Sequence, residues 1–360
     1  MNQHGGGVMV YTLGLIDQLL QLNSEHEYVF MYRDPEMLGR YADRPNVEEV
    51  AVPARSLISW DQWAAPRAAK RAGVEMLFNP KYSLPLTGSI PGVFVCHGLD
   101  WYVMPQWSKF TDRLSHKHLI PRYARKAKRV IAVSETARQH MHEYLDVPLE
   151  KIDTVYLGLD EDFRVPQEPS RLAATRERFK LPQRYFLYCG QIYPPKNFGR
   201  LIEAFAKLAP SCDVDLVVAG THTFLAEEEI ASIDRLGLTD RVHRLGWVDH
   251  DQLPALYRMA EAHVMPSLYE ACPSPPLEAM ASGCPVVTAN RHGTAEIAGE
   301  AALLVDPESV ESIADGMRAV LDDQPLRERL IAAGYERQRE FTWKRCAEQT
   351  LASLERAAAR

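Results

Sequence analysis

The chain has 360 residues, of which 46% are hydrophobic and 25% are charged, so it is long enough for two globular domains and is not a disordered polypeptide. The net charge of −7 disfavours a nucleic-acid-binding protein, and no run approaches the roughly 18 apolar residues of a membrane-spanning helix. The six cysteines are scattered without a C-x-x-C pair, and no basic secretory leader opens the chain. We therefore expect a cytoplasmic protein with reduced thiols and no metal site.

The first predicted element is a helix from about Val8 to Leu22, because apolar residues recur there at steps of three and four. It follows directly on three glycines, Gly5 to Gly7, without the buried strand that normally opens a parallel α/β domain. A missing central strand would leave backbone groups of its neighbours unpaired. Either this domain lacks its first strand, or the native start lies upstream of Met1, and we expect the upstream sequence to encode the strand.

Short β-rich apolar runs alternate with amphipathic stretches along the rest of the chain, which indicates parallel sheets covered by helices. Strands are predicted at 28–32, 47–52, 76–78, 93–97, 130–133 and 154–156, and then at 185–189, 216–219, 242–245, 263–265, 286–288 and 303–305. Further helices are predicted at 61–71, 109–128 and 135–145, the last with Ser134 as its N-cap. The stretch 326–360 is also helical in pattern.

Charge and proline are concentrated at 161–183, which predicts a linker between two domains. The chain then divides into a first domain at 1–160, a second domain at 184–335 and a C-terminal helix at 336–360.

The segment 109–129 is strongly basic, with eight Lys or Arg, two His and one acidic residue. The simplest interpretation is a helix whose polar faces are solvated. The alternative is a peripheral contact with an anionic membrane surface or a lipid-diphosphate acceptor. Nucleic acid is not an expected partner, because aromatic residues are not interleaved with the basic ones.

Two carboxylates, Glu270 and Glu278, lie eight positions apart in the run Glu-Ala-Cys-Pro-Ser-Pro-Pro-Leu-Glu. The strand predicted at 263–265 ends just before this run, and a short helix opens near Pro275 with Ser274 as its expected N-cap. Glu270 then follows the carboxyl end of a strand, where open α/β sheets bind ligands. Glu278 lies in or near the first turn of the helix, where the helix dipole alone would favour a carboxylate.

The run that continues to Val287 resembles the E-x₇-E motif of retaining glycosyltransferase family four, whose members have the GT-B fold. The resemblance implies two Rossmann-like α/β domains that face each other across a cleft, with a C-terminal helix that crosses back to the first domain. In that family the first Glu contacts hydroxyls of the donor sugar and the second contacts the ribose, so these roles fall on Glu270 and Glu278. Where the family commonly has Phe-Gly, this chain has Cys272-Pro273, so the loop near the sugar differs. Pro273 and Ser274 are expected at the donor as well.

The stretch from Phe186 to Asn197 resembles the family segment in which an Arg and a Lys neutralise the donor diphosphate. Lys196 matches the Lys of that segment. It lies just before a predicted helix with Asn197 as its expected N-cap, and a helix N-terminus beside a lysine favours a bound anion. The alternative is a lysine that extends into solvent. Gln191 stands at the family's common Arg position, so one phosphate charge is left uncompensated or is met by another group.

His97 ends a predicted strand and precedes Gly98. A lone histidine is more often structural, but the resemblance implies a catalytic residue near the reacting sugar. Gly6 and Gly7 resemble the glycine loop of the first domain, which lets backbone N–H groups approach the donor phosphate or the acceptor. Without that role they would only be part of a flexible terminus.

The resemblance therefore implies a metal-independent retaining glycosyltransferase without a cofactor, which takes a nucleoside diphosphate sugar as co-substrate. It would transfer the sugar to a hydroxyl of a glycan or lipid-linked acceptor in polysaccharide or glycolipid assembly, with His97 and Glu270 as catalytic residues. Two alternatives are a catalytically inactive binding subunit and another sugar-nucleotide enzyme on the same scaffold, such as an epimerase. The expected location is the cytoplasm or the inner face of a membrane.

Overall fold

The structure is a computed structural model that describes residues 6–22, 25–108 and 110–359, apart from the side chains of 110–115 and 224. It divides into two compact units. The first contains the described residues up to Tyr102, then Ser108–Gly158, and the end of the chain from Trp343. The second contains Val103–Trp107 and Leu159–Thr342. Most of the second unit is therefore a single insertion into the first.

The strands of the first unit form two separate parallel sheets. One pairs β1 (Tyr28–Tyr32) with β2 (Val47–Ala51), and the other contains β3 (Leu77–Asn79), β4 (Gly92–Cys96), β5 (Arg129–Ala132) and β6 (Ile152–Thr154) in that order. Every residue of β4 is buried, as expected for a strand that helices cover on both faces. No strand joins the two sheets within the described ranges.

The helices of the first unit begin with α1 (Gly7–Gln21), close to the predicted 8–22. They continue with α2 (Leu57–Ser59), a π-helical turn (Trp60–Ala64), α3 (Ala65–Arg71), α4 (Asp100–Val103), α5 (Phe110–Lys126) and α6 (Glu135–Leu145). The predicted N-cap of α6 is confirmed, because the Ser134 hydroxyl accepts a 3.0 Å hydrogen bond from the Ala137 backbone N–H.

The second unit contains one six-stranded parallel sheet. Its strands are β7 (Tyr185–Cys189), β8 (Asp215–Ala219), β9 (Val242–Gly246), β10 (Ala262–Met265), β11 (Val286–Ala289) and β12 (Leu303–Val305). Its helices are α7 (Pro169–Phe179), α8 (Phe198–Leu208), α9 (Glu227–Arg235), α10 (Leu253–Met259), α11 (Pro275–Ala281), α12 (His292–Ala298), α13 (Val310–Asp322) and α14 (Gln324–Arg337). The strand order is β12-β11-β10-β7-β8-β9, so the winding direction reverses between β7 and β10.

The structure differs from the predicted linker at 161–183. A short 3₁₀ turn, Glu161–Phe163, and helix α7 occupy this stretch, and α7 packs on α10. Phe163 is buried, with its ring centroid 6.1 Å from that of Tyr257. The high content of charged residues and proline predicted a linker although a helix is present, because α7 buries only Thr175 and its other faces are polar.

The last helix, α15 (Trp343–Ala358), belongs to the first unit and packs on α1. Its buried residues recur at helical spacing at positions 346, 347, 350, 353 and 357, so a single face is covered. Two glycines make room for Trp343 at its start. A Cβ atom would lie 2.4 Å from Trp343 Cε2 at Gly14 and 2.3 Å from the Trp343 backbone nitrogen at Gly158.

Replacing Gly14 with Ala should destabilise the protein by about 1–3 kcal/mol, because the new methyl group overlaps the Trp343 ring in a packed core. Urea unfolding monitored by tryptophan fluorescence measures the change. Gly199→Ala is a matched helical control, since its Cβ would meet nothing closer than Glu229 Cγ at 3.5 Å. Equal stability of Gly14→Ala and the wild type would contradict the packing described for α15.

Candidate active site

The proposed site lies where the winding of the second sheet reverses. In open parallel sheets, ligands bind outside the carboxyl ends of the two strands at such a point. These strands are β7 and β10. The segment after β7 carries Lys196, and the segment after β10 carries Glu270, so the topology itself brings these two side chains to one edge.

Two hydrogen bonds join these two segments, and a third joins the segment after β7 to the loop after β12. The Leu268 N–H donates to the Pro195 carbonyl at 2.8 Å. The Asn197 side-chain amide donates to the carbonyls of Pro266 at 2.9 Å and Pro307 at 2.6 Å. Asn197 occupies the N-cap position of α8, as predicted, but its side chain does not cap the helix. The expected cap is wrong because the amide bonds instead to the loops that follow β10 and β12.

Lys196 and Glu270 form a buried ion pair. Lys196 Nζ contacts Glu270 Oε1, and the two side chains are only 14% and 12% exposed. The Ser267 hydroxyl donates to the same carboxylate oxygen at 3.0 Å. Burial by itself lowers the pKa of Lys196, but the neighbouring carboxylate more than compensates and the net pKa is raised. The lysine therefore does not extend into solvent, and its charge is held at the strand ends.

Glu278 lies in the first turn of α11, as predicted, and is 6% exposed. Its Oε2 accepts a 3.0 Å hydrogen bond from the Tyr257 hydroxyl. Burial raises the pKa of this carboxyl group, and hydrogen bonds from Ser274 and Tyr257 partly offset that effect. Ser274 occupies the N-cap position of α11, but its hydroxyl makes no capping bond. That expected cap is wrong, since the hydroxyl bonds to Glu278 instead.

Of the two remaining residues expected at the donor in this unit, Pro273 is buried and Gln191 is exposed. The Gln191 carbonyl accepts from the Tyr188 hydroxyl at 3.3 Å. Its side chain makes no hydrogen bond with Lys196 or Glu270, so the structure does not bring it into the ion pair.

A glycine ends or follows each of three neighbouring strands, β7, β8 and β9, at the same sheet edge. Gly190, Gly220 and Gly246 have φ angles of +142°, +152° and +70°, a region that side chains rarely adopt. The Gly220 N–H donates to the Gly246 carbonyl at 2.8 Å, and a Cβ at Gly220 would lie 2.0 Å from Gly190 O. This edge therefore presents closely packed backbone, and the sequence signal is a glycine at the end of each apolar run.

In the first unit, His97 follows β4 and packs edge-on against Tyr11 of α1, with ring centroids 4.8 Å apart. Its Nε2 lies 2.7 Å from the Pro80 carbonyl oxygen, which can only accept, so Nε2 carries the proton. Burial lowers the pKa of His97 to about 4, so Nδ1 is unprotonated at neutral pH. Gly6 and Gly7 lie at the start of α1, one turn before Tyr11, and a Cβ at either would meet no atom within 4 Å.

Sequence reasoning missed Tyr257 and Ser267, whose hydroxyls hold the two glutamates. Ser267 lies two residues after β10, a position that parallel α/β sheets often use for ligands. Nothing near Tyr257 in the sequence distinguishes it from an ordinary core aromatic.

Among the described residues, no three His, Cys, Asp or Glu side chains cluster so that they could hold a metal ion. In the same ranges, no helix is long and apolar enough to cross a membrane.

Solved structures define the fold class. The chain is similar to Anabaena HepE in complex with UDP and glucose, with a TM-score of 0.77 and 19% identity over 99% of this chain and 97% of that one. It is also similar to sucrose-phosphate synthase from Thermosynechococcus elongatus, with a TM-score of 0.79 and 20% identity over 97% and 92%. Two parallel-sheet α/β units with this strand order form a GT-B fold, which confirms the predicted class.

Sequence comparison gives the family. The model "Glycosyltransferase Family 4" matches residues 5–163, and the model "Glycosyl transferases group 1" matches residues 173–337. The chain belongs to the family-four glycosyltransferases, as the E-x₇-E run predicts.

Curated relatives match part of their own length. O-antigen chain mannosyltransferase B of Escherichia coli is 30% identical over 62% of this chain and 60% of its own. MMP alpha-(1->4)-mannosyltransferase of Mycolicibacterium hassiacum is 31% identical over 66% of this chain and 56% of its own. The matches thus span less than two thirds of these relatives.

Proposed function

We propose that this protein transfers a sugar from a nucleoside diphosphate sugar to an acceptor hydroxyl, with retention at the anomeric carbon and without a metal ion. The observation that carries the proposal is the buried Lys196–Glu270 ion pair where the sheet winding reverses. A buried ion pair contributes little net stability, because desolvation of the two charges offsets their attraction. A ligand role explains better why two charges lie at the strand ends.

The donor diphosphate would displace the carboxylate as the partner of Lys196. The lysine would then stabilise the negative charge that develops on the leaving diphosphate, the largest kind of contribution in such a reaction. Glu270, released from the lysine, would accept hydrogen bonds from hydroxyls of the donor sugar. Glu278, held by Tyr257 and Ser274, would accept one from the ribose. Pro273 and Ser274 would line this part of the donor.

The first unit would be the acceptor domain and would contribute His97. With Nε2 donating to Pro80, its unprotonated Nδ1 can accept a hydrogen bond from a sugar hydroxyl. Gly6 and Gly7 would leave room for a phosphate or the acceptor at the start of α1. The acceptor class that we propose is a glycan or a lipid-linked glycan.

A second candidate is a binding subunit without activity. The specific observation in its favour is Gln191, which replaces the family's common Arg and is exposed rather than part of the charged cluster. Such a protein would bind the nucleotide sugar and release no product.

We expect one nucleoside diphosphate sugar to raise the melting temperature and to be consumed, since ligands that bind only the folded state stabilise it. Several relatives are named mannosyltransferases and HepE was solved with UDP and glucose, so GDP-mannose and UDP-glucose are tested first, followed by ADP-sugars. NMR of the earliest sugar product, before mutarotation, should show the anomeric configuration of the donor. Inversion would refute the retaining assignment, and binding without turnover would favour the inactive subunit.

A further inference from the structure

One loop of the first unit contacts the imidazole of His97 twice. It follows β3, and its residues 80–86 are called the His97 loop below. The Pro80 carbonyl accepts the hydrogen bond from His97 Nε2 at 2.7 Å, and the Tyr82 ring packs edge-on against the imidazole with centroids 5.9 Å apart. The orientation and the tautomer of His97 therefore depend on how firmly this loop is held.

The π-helical turn Trp60–Ala64 supplies two side chains that bond to each other and reach the His97 loop. The helix before it begins at Leu57, so the predicted start at position 61 is wrong, because the capping box consists of two serines and the usual Glu or Gln is absent. Turns of the π type are rare and are found frequently at functional sites. In this turn the consecutive residues Asp61 and Gln62 both make hydrogen bonds to the loop.

The Gln62 side chain bonds to the loop backbone much as a neighbouring strand would. Its Oε1 accepts from the Leu86 N–H at 2.9 Å, and its Nε2 donates to the Leu84 carbonyl at 3.2 Å. The Leu86 contact fixes which end of the amide is the oxygen, since a backbone N–H can only donate. The same Nε2 also donates to Asp61 Oδ2 at 2.7 Å, so Gln62 joins the loop to that carboxylate.

Asp61 holds the loop through Ser83. The Ser83 hydroxyl accepts from the Asn79 side-chain amide and donates to Asp61 Oδ1, at 2.9 Å in both cases. Because both partners of Asp61 donate, the position requires two acceptor oxygens, and an Asn would turn an N–H₂ group towards one of the donors. This hydrogen-bond pattern therefore specifies a carboxylate.

The carboxylate of Asp61 is unfavourable for stability where it lies. It is only 8% exposed, and in the described part of the chain it forms no ion pair. Burial raises its pKa, and the hydrogen bonds from Ser83 and Gln62 offset only part of that effect. A buried charge without a cation lowers stability, and such local conflicts are expected at functional sites.

We propose that Asp61 is a positioning residue for the transfer reaction, which holds the His97 loop so that Pro80 keeps the Nε2 proton and Nδ1 accepts from a sugar hydroxyl. The inference rests on the transferase function proposed above. Asp61 acts through the loop, since it bonds directly only to Ser83 and Gln62. Without these bonds the loop would move away, the imidazole would lose the partner that fixes its tautomer, and water would reach it.

Replacing Asp61 with Asn tests this role, because the change keeps the shape and removes one acceptor. NMR of the free protein labelled with ¹⁵N-histidine reports the tautomer and pKa of His97, and His97→Gln identifies the signal. We expect a protonated Nε2 and a pKa of about 4 in the wild type. In Asp61→Asn the pKa should rise towards its ordinary value of about 6.5, because hydration removes the main cause of the low pKa.

Other groups that face the imidazole do not account for such a change. Lys81 of the loop lowers the pKa of His97, and Tyr11 of α1 and Tyr82 of the loop pack against the ring. All three residues are retained in each variant. A change in the pKa of His97 therefore reports on the position of the loop.

The pH dependence of transfer gives a second measurement. If unprotonated His97 is required, a higher pKa moves the loss of activity to higher pH. The acid limb that His97 causes should lie near pH 4 in the wild type and near about pH 6 in Asp61→Asn. At neutral pH kcat should fall about tenfold or more with the donor KM within about twofold, since the reacting group is misaligned.

Asp153→Asn is the matched control. Asp153 is 14% exposed, lies on β6 of the same unit, and accepts hydrogen bonds from Arg129 and Ser353 at 2.6 Å. This variant should lower the melting temperature but leave the tautomer and pKa of His97 unchanged. Asp61→Glu, which retains two acceptor oxygens, should restore part of kcat.

Two outcomes would overturn the proposal. One is a wild-type tautomer and pKa of His97 in folded Asp61→Asn, and the other is an equal change in Asp153→Asn. Ser83→Ala breaks the same connection and replaces Asp61→Asn in both comparisons if that variant does not fold. Because the NMR measurement needs no substrate, it decides the role of Asp61 in holding His97 even if the wild type transfers no sugar, a result that would count against the proposed function instead.

Discussion

Replacing Glu270 with Gln should leave a folded protein that transfers sugar at least about 100-fold more slowly, because a group that orients the reacting sugar affects rate more than stability. Gln has nearly the same shape and keeps an oxygen that can accept from Ser267. It removes the negative charge opposite Lys196, however, and a buried charge without its partner is destabilising. We therefore expect a lower melting temperature without ligand.

A nucleoside diphosphate should restore part of that loss, since its phosphates supply the missing negative charge. The ligand-induced rise in melting temperature should be larger in Glu270→Gln than in the wild type. Glu311→Gln is a matched control, because Glu311 pairs with Lys207 at 2.6 Å on the exposed surface. It should change neither rate nor melting temperature measurably. Wild-type transfer by Glu270→Gln would show that Glu270 is only a loop residue.

Replacing Lys196 with Ala should weaken donor binding by about 1.5–3 kcal/mol, or roughly 10- to 150-fold, the usual scale for a charge-assisted hydrogen bond. Isothermal titration with the nucleotide measures the affinity, and initial rates measure turnover. Lys207→Ala is the control on the exposed ion pair. If both affinity and turnover are unchanged in Lys196→Ala, the diphosphate does not contact this lysine.

The two variants should not be additive in the absence of ligand. Each single change leaves one buried charge without its partner, whereas the double change removes both, so the double variant should be more stable than the sum predicts. A double-mutant cycle on thermal stability measures this coupling. Additive effects would indicate that the ion pair does not persist in solution.

The sequence predicts much of this fold because buried parallel strands are short apolar runs bounded by glycine and proline. The expected strand at 185–189 is the observed β7, and glycine or proline follows it as it does several others. Lys196 and Glu270 are both placed correctly near strand ends. Their mutual ion pair could not be predicted, since it joins residues 74 positions apart through a strand order that local patterns do not encode.

The two wrong helix-cap predictions arise because the same polar side chain can either cap a helix or bond to another group. Asn197 and Ser274 are residues that commonly cap helices, and each does stand at a helix N-terminus. The Asn197 amide bonds to Pro266 in a neighbouring loop, whereas the Ser274 hydroxyl bonds to Glu278 in the first turn of its own helix. Helix α7 is polar enough to be mistaken for a linker, because it packs on α10 and buries only Thr175. Composition describes exposure, and it does not say what a polar segment packs against.

The return of α15 to the first unit has a consequence for how the protein is made. A ribosome completes the second unit at Thr342, before it has synthesised the 16 residues of α15. Until then the α1 face that receives Trp343 and the rest of α15 stays uncovered, although α1 itself left the ribosome first. Domains usually fold in the order of their synthesis, but here the earlier-made unit must finish last. A nascent chain that stalls after Thr342 would therefore carry a folded second unit beside an incomplete first one, a form that chaperones and proteases recognise by its exposed apolar helix.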